Sequence, residues 1–498
     1  MMFLHLFLLL PIIIIFYFQA QIYKHATKLH PPGPRGLPFI GILHQFDGRS
    51  PHTYLRCLSN KYGPVMSLKL GLRLVVVISS ADAVKEIMKS HDAVFSSRPL
   101  LVSLQRLTYN GLDVAFSPYN EVWREMRKIS TIHLFGAKQV QSSQPIFKDE
   151  VRKMMAKIAR DASSSTVVNL SETMMSLSSN SICRVAFGKT YGDEGYGKNR
   201  FFDLLRETQS LLGGFFVEDY LPWFRWVDRL LGMNKKLGKN FHDMDSFYEE
   251  LIEEHMDPNR PKSMEGDIVD ILLRMKENGT TSFELTLDHI KALLMNIIAG
   301  GSDTVSAALV WAMASLVKKP LLMKKLQAEI RQLAGEKKLI DEKDIEKLPY
   351  LRAVVKESLR LYPPAPLLVP RETTKKCSIN GYEIEGGSTV YVNAWAIARD
   401  PAMWDNEDEF LPERFLESDL DPRGQTPELI PFGFGRRRCP GIGMAMAEME
   451  LALANVVCKF DWELPVGMKE EDIDFEVLPG ITMHKKNALR LLPKLVIA

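Results

Sequence analysis

The chain has 498 residues, of which 46% are hydrophobic, 25% charged and 9% aromatic. Those ordinary globular values exclude a disordered, collagen-like or disulfide-stapled chain, and the length gives room for a large core. With 63 Lys plus Arg against 61 Asp plus Glu, the formal net charge is +2, so no overall basic field directs the chain to nucleic acid.

From Met1 to Tyr23 there is no Asp, Glu, Lys or Arg, and Leu4 to Phe18 is almost entirely Leu, Ile and Phe. About 20 apolar residues cross a bilayer as a helix, and this run just suffices. A cleaved secretory signal is the alternative, opposed by the missing positive n-region and small-x-small site. Lys24 and Lys28 follow the run and favour a cytosolic body. Pro31-Pro32-Gly33-Pro34-Arg35-Gly36-Leu37-Pro38 cannot be helical, so it reads as a stiff spacer. The expected organisation is a transmembrane signal-anchor at 1–23, a basic, proline-rich hinge at 24–38 and a body at 39–498.

Residues 65–80 alternate Met66, Leu68 and Leu70 with Val65, Ser67 and Lys69, then run Val75-Val76-Val77-Ile78, which predicts two strands. Helical patterns dominate from about 81 to 360, with loops near 189–199, 257–267 and 277–284. Within them Trp123 and Arg127 share a helix face. Leu287 to Val317 reads as one long helix, closed by Lys318-Lys319-Pro320. Gly300 and Gly301 in its middle cost roughly 1 kcal/mol each against alanine, which predicts a local distortion that makes room for something. Glu357 and Arg360 also share a face, ahead of the breaker Tyr362-Pro363-Pro364. Strands return at 367–393, with a hairpin turn at Ile379-Asn380-Gly381-Tyr382. A helix at 441–459 and short strands at 480–492 finish the chain. The expected fold class is mainly α with a minor β portion (α+β), in a single large domain.

The most informative segment is Pro431-Phe432-Gly433-Phe434-Gly435-Arg436-Arg437-Arg438-Cys439-Pro440-Gly441. Its glycines let the backbone adopt positive φ and approach a flat object closely. Cys439 is expected at a helix N-terminus, with Pro440 at the first helical position, where the dipole would lower the thiol pKa. A thiolate beside Arg437 suits haem, sulfur to iron and guanidinium to propionate. An Arg/Gly surface loop with an incidental cysteine is the plainer alternative. The remaining cysteines, Cys57, Cys183, Cys377 and Cys458, are scattered without a CxxC or a Cys/His cluster.

Phe432-x-x-Gly435-x-Arg437-x-Cys439-x-Gly441 matches, at every fixed position, the haem-binding signature of the cytochrome P-450 family. Gly300-Gly301-Ser302-Asp303-Thr304 resembles that family's oxygen-activation motif, Glu357-x-x-Arg360 its K-helix pair, Pro412-Glu413-Arg414-Phe415 its "PERF" segment and Trp123-x-x-x-Arg127 a haem-contacting helix. The likeness runs from the proline hinge nearly to the C-terminus, in the style of plant microsomal members of the clan serving specialised metabolism. It implies thiolate-ligated haem b on Cys439, with Phe432, Gly435 and Gly441 shaping the ligand loop. Arg437, Arg371, Trp123 and Arg127 would hold the propionates, and Thr304 and Asp303 would feed protons to bound oxygen. Glu357, Arg360 and Arg414 would be scaffold. The pocket would use Ile297, Ile298, Gly300, Leu367, Leu368, Val369 and Ile481. Val305 stands where relatives often carry Ser or Thr, with Ser306 one residue on.

The implied function is a monooxygenase of the endoplasmic reticulum membrane, its catalytic domain in the cytosol. O2 is the co-substrate and NADPH electrons come through a cytochrome P-450 reductase. The substrate would be a small hydrophobic plant metabolite of terpenoid, phenolic/coumarin or aldoxime type, and no nucleic acid is a partner. An isomerase or dehydratase acting without O2 is the second reading; a non-enzymatic membrane haem-binding protein is the third.

Overall fold

The computed structural model describes residues 30–191, 196–261, 266–335, 337 and 339–496. The apolar run and the expected anchor at 1–23 lie outside them. Val65–Leu70 (β1) buries Met66, Leu68 and Leu70, and Gly71 turns the chain back as Arg73–Ile78 (β2). The unbroken apolar end of β2 is needed because it is covered: Thr389–Val392 (β7) pairs with it in parallel, and Arg371–Glu372 (β4) pairs antiparallel with β7. Cys377–Ile379 (β5) and Tyr382–Ile384 (β6) form the expected hairpin, with Asn380 and Gly381 at φ of 49° and 78°.

The first part of the hinge is no free spacer. Ser67 donates its backbone N–H to the Pro32 carbonyl at 2.8 Å and its hydroxyl to the Pro31 carbonyl at 2.7 Å. Gly33 lies so close that a Cβ there would fall 1.6 Å from the Ser67 carbonyl oxygen. Residues 31–33 therefore pack against β1.

Six helices position the site: Glu121–Ile129 (α1), Ala137–Ser163 (α2), Leu170–Phe187 (α3), Leu287–Lys318 (α4), Pro349–Leu361 (α5) and Ile442–Lys459 (α6). α4 starts where Thr286 and His289 exchange capping bonds and stops at Lys319-Pro320. It is the one helix among the described residues long and apolar enough to span a membrane, but 78% of its apolar window is buried within the protein, so it is the core helix. The helix continues unbroken through Gly300 and Gly301, the pair expected to make room. Their reasons differ. A Cβ on Gly301 would lie 2.6 Å from Ile182 Cγ1 of α3, whereas one on Gly300 would meet nothing within 4 Å. Gly301 lets two helices close, and Gly300 leaves space.

Other expectations shift. Helix Tyr196–Leu212 takes part of the loop expected at 189–199. In place of strands at 480–492, Phe460–Glu463 (β8) and Arg490–Leu495 (β9) join Val168–Asn169 (β3) in the order β3-β9-β8, and residues 478–489 are largely irregular. Helix α6 begins at Ile442 with Gly441 as its cap, so Pro440 lies outside it.

Candidate active site

The loop before α6 folds back on itself, the Cys439 N–H donating to the Phe432 carbonyl at 2.9 Å and Gly433 N–H to that of Ile430 at 2.9 Å. Gly433 and Gly435 adopt positive φ, 73° and 62°, while Gly441 does not, at −85°. Gly435 is also a contact position: a Cβ would sit 2.1 Å from Asp92 Oδ1. Cys439 lines a cavity of about 310 Å³, and its accessible surface is open to that space. The expected lowering of its pKa is not found. Burial pushes the thiol up, outweighing the Gly441 N–H and the Arg127 and Arg438 charges that favour the thiolate. Helix α6 starts at Ile442, two residues beyond Pro440, and although its cap residue Gly441 still offers an N–H to the sulfur, burial is the larger effect.

Four arginines face the same cavity: Arg98, Arg127, Arg371 and Arg437. Backbone carbonyls hold three of them, Arg98, Arg371 and Arg437. Arg437 donates to Ser96 at 2.6 Å, Ser117 at 2.6 Å and Val114 at 3.1 Å. Arg371 donates to Phe434 at 2.8 Å, and Arg98 to Val369 at 2.6 Å, Pro370 at 2.8 Å and Ala115 at 2.9 Å. Burial lowers the pKa of all four, to about 9 for Arg437 and about 10 for Arg371, and mutual repulsion lowers Arg98 and Arg437 further. Asp113 opposes this at Arg98 and Arg437, and Asp92 at Arg371. Asp113 itself is raised by burial, and its Oδ1 has no hydrogen-bond partner. So much buried positive charge with so little opposing it calls for an anionic ligand. Two propionate carboxylates meet that need, and the cavity offers a thiol and an apolar wall beside them. The residues fit haem.

Trp123 differs from expectation. Its indole N–H donates to the Val114 carbonyl at 2.9 Å, and its ring lies 3.9 Å from the Arg437 guanidinium. It does not line the cavity but supports a residue that does.

On α4, Ile297, Gly300, Gly301, Thr304 and Val305 face the cavity; Leu368, Val369, Ile481 and Phe432 close it from other segments. Ile298 and Leu367 do not line it. Ile298 is turned into the core, and Leu367 packs beside the β1–β2 sheet. The Thr304 hydroxyl donates to the Gly300 carbonyl at 2.7 Å. Asp303 points elsewhere, its Oδ1 lying 2.6 Å from His484 Nε2. Ser306 donates back to the Asp303 carbonyl at 2.9 Å and is buried away from the cavity. Val305 therefore presents a methyl surface where a second hydroxyl would otherwise stand.

Behind the ligand loop, Arg360 donates Nε to Glu357 Oε2 at 2.7 Å and Nη2 to Oε1 at 2.9 Å, both side chains fully buried. Arg414 Nε adds a bond to Oε1 at 3.2 Å, and the Leu411 N–H another at 2.7 Å. The remaining Arg360 protons go to the carbonyls of Ala398, Glu407 and Glu409. This pair is fully satisfied and far from the exposed i,i+3 type.

Three cavity residues escaped the sequence. Arg98 sits in an aperiodic stretch that carries no signal. Asn296 Oδ1 accepts the Val114 and Ala115 N–H groups, both at 3.0 Å, pinning the arginine-holding loop to α4. Glu448 lines the cavity beneath α4, buried, with Oε1 unpartnered and its pKa pushed up to about 8. It was visible as a charge on the apolar stripe of α6, one turn beyond Met444.

Residues 31–491 match the cytochrome P-450 family model. The chain is 45% identical over 503 residues to 6,7,8-trihydroxycoumarin synthase of Pastinaca sativa, covering 99% of this chain and 98% of that one. It is 48% identical over 472 residues to 5-OH-xanthotoxin synthase of the same plant, 93% of each. A zebrafish cytochrome P-450 solved with abiraterone superposes with a TM-score of 0.75 at 26% identity, covering 90% of this chain and 100% of that one.

Proposed function

Because the chain belongs to the cytochrome P-450 family, we propose that it is a membrane-anchored monooxygenase of the endoplasmic reticulum, taking NADPH electrons from a reductase to oxidise an oxygenated aromatic plant metabolite of coumarin type. The observation that carries the reading is that Cys439 and four buried arginines line one cavity. Bound haem supplies reductive O2 activation and insertion of one oxygen atom into an unactivated bond. In this reading the Cys439 thiolate would bind the iron, and Arg98, Arg127, Arg371 and Arg437 would hold the propionates. Trp123 and Asn296 keep Arg437 and its loop in place. Ile297, Leu368, Val369 and Ile481 exclude water and orient an apolar substrate. The Thr304 hydroxyl, which donates to the Gly300 carbonyl at the cavity wall, would position a proton or a water there. The coumarin class rests on the names of the two Pastinaca relatives, a trihydroxycoumarin synthase and a hydroxyxanthotoxin synthase.

Membrane attachment is supported by the apolar run at 4–18 and by an aromatic surface in which Trp223 is 67%, Phe215 55% and Trp226 52% exposed. Trp at such exposure suits a headgroup interface. The test is reconstitution with a plant cytochrome P-450 reductase, NADPH and ¹⁸O2, offering coumarin and xanthotoxin. Product carrying one ¹⁸O atom is expected. Product formed without NADPH would assign the isomerase or dehydratase reading in its place.

A further inference from the structure

Asp303 is adjacent to the cavity-facing Thr304 yet turns its carboxylate away, to the imidazole of His484, 181 positions later in the chain. The Asp303 side chain is 9% exposed and that of His484 26%, so the pair bridges solvent and a buried position on α4. No other side chain among the described residues hydrogen-bonds the Asp303 carboxylate. The segment carrying His484 also places Ile481 and Thr482 in the cavity wall. That segment is held by its backbone: Met483 N–H to the Pro364 carbonyl at 2.8 Å, Trp311 Nε1 to the Met483 carbonyl at 2.7 Å, and Leu478 N–H to the His484 carbonyl at 2.9 Å. The imidazole is therefore not needed to keep the loop in place. An imidazole can release a proton from one nitrogen and take one up at the other, which an amide or a methyl group cannot do.

We propose that His484 is the positioning residue for proton supply, acting through Asp303. The inference rests on the monooxygenase reading and deepens it. The proton shared between Nε2 and Oδ1 passes to Asp303, while His484 takes a replacement from water at Nδ1. Asp303 then turns about its side chain toward Thr304, delivers the proton at the cavity and returns to His484. One proton enters from solvent and one leaves into the cavity, with no electron moved. His484 thus sets both where Asp303 waits and how fast it is recharged.

The decisive variant is His484→Gln, which can still donate a hydrogen bond to Asp303 but cannot relay a proton. It is compared with the wild type and with Asp303→Asn as reductase-coupled holoenzymes, using xanthotoxin as probe. NADPH oxidation and peroxide release without substrate read the same proton demand if xanthotoxin is not turned over. The expected result is a fall in kcat of ~10²-fold, an unchanged spectral Kd for xanthotoxin and a larger solvent isotope effect. Asp303→Asn/His484→Gln should be no worse than the poorer single variant. Iodosylbenzene, a single-oxygen donor that needs neither electrons nor protons, should drive wild type and His484→Gln equally. In the ligand-free protein a far-downfield proton resonance from the short pair should be present and lost in either variant.

Wild-type turnover and isotope effect in His484→Gln would overturn the proposal and leave the pair a structural contact. So would equal loss with iodosylbenzene, which would locate the damage in the pocket. Failure of the monooxygenase reading looks different: wild type itself would form no NADPH-dependent product from any probe, while the resonance and the substrate-free oxidase comparison would still report on His484.

Discussion

Glu448 allows a quantitative test of how the buried cavity treats charge. Its side chain is 5% exposed, Oε1 has no partner, and burial together with Glu150 raises its pKa from 4.5 to about 8; the Ser181 hydroxyl opposes this but makes no bond of normal geometry. A carboxyl raised on folding keeps its proton in the native state after the unfolded chain has lost it. Native stability therefore falls as pH climbs from about 4.5, and the loss is complete near 8. At ~1.4 kcal/mol per tenfold change the full effect is roughly 5 kcal/mol, and about 3 kcal/mol at pH 7. Glu448→Gln keeps the shape and removes the titration. Its unpartnered amide adds an offset that does not depend on pH, so the pH dependence alone is diagnostic.

With unfolding entropy of ~2 cal/mol/K per residue, 1 kcal/mol moves the melting temperature of a chain this long by about 1 °C. Scanning calorimetry of both holoproteins at one scan rate, at pH 5, 7 and 8.5, is the assay. The variant should gain on the wild type by about 3 °C between pH 5 and 7, and by a further 1–2 °C at 8.5. A difference that stays constant with pH, or shrinks as pH rises, would refute the reasoning and mean that Glu448 is charged and paired.

Cys439→Ala should abolish the reduced-CO band near 450 nm that a thiolate ligand produces, and Cys439→His should move it to shorter wavelength; a retained band in either would overturn the ligand assignment. Thr304→Ala should still consume NADPH but release peroxide in place of product, because Ser306 is bonded to the Asp303 carbonyl at 2.9 Å and Val305 has no hydroxyl. Unchanged coupling would assign the proton to another group. Glu357→Gln leaves Arg360 and Arg414 short of an anion in a fully buried site, so about 3–5 kcal/mol of stability should be lost, read as haem-free or aggregated protein on expression. Gly301→Ala should cost about 1–3 kcal/mol by overpacking against Ile182, and in the Ile182→Ala background, which lacks the clashing Cγ1, it should cost less; additive losses in a thermal melt would deny the contact.

What could be read from the chain follows from where local physics is decisive. The bounds of α4 were legible because a capping residue, a long apolar run and a Lys-Lys-Pro stop all act within a few residues of one another. The turns of the Cys439 loop were legible because Gly433 and Gly435 adopt backbone angles that other residues resist. Facing was not legible on the same helix. α4 is buried on nearly every side, so apolar periodicity cannot separate Ile297, which lines the cavity, from Ile298, which does not. Asp303 and Thr304 show the same gap, adjacent in a motif yet directed to different places, because the partner of one comes from a distant segment.

The arginines extend the point. Singly, Arg98, Arg127, Arg371 and Arg437 lie in four unrelated stretches, and none carries a local pattern that predicts burial. Only the tertiary fold brings them to one cavity, and there their depressed pKa values register an energetic cost that no acidic side chain nearby removes. A fold that keeps such a cluster is most stable with an anion among the guanidiniums, so ligand binding and native stability are linked at this site. Holoprotein should therefore melt above the ligand-free chain by an amount that shrinks when Arg98 is replaced by leucine. That residue, which the sequence did not mark, then becomes a measure of how much of the fold is held by its cofactor.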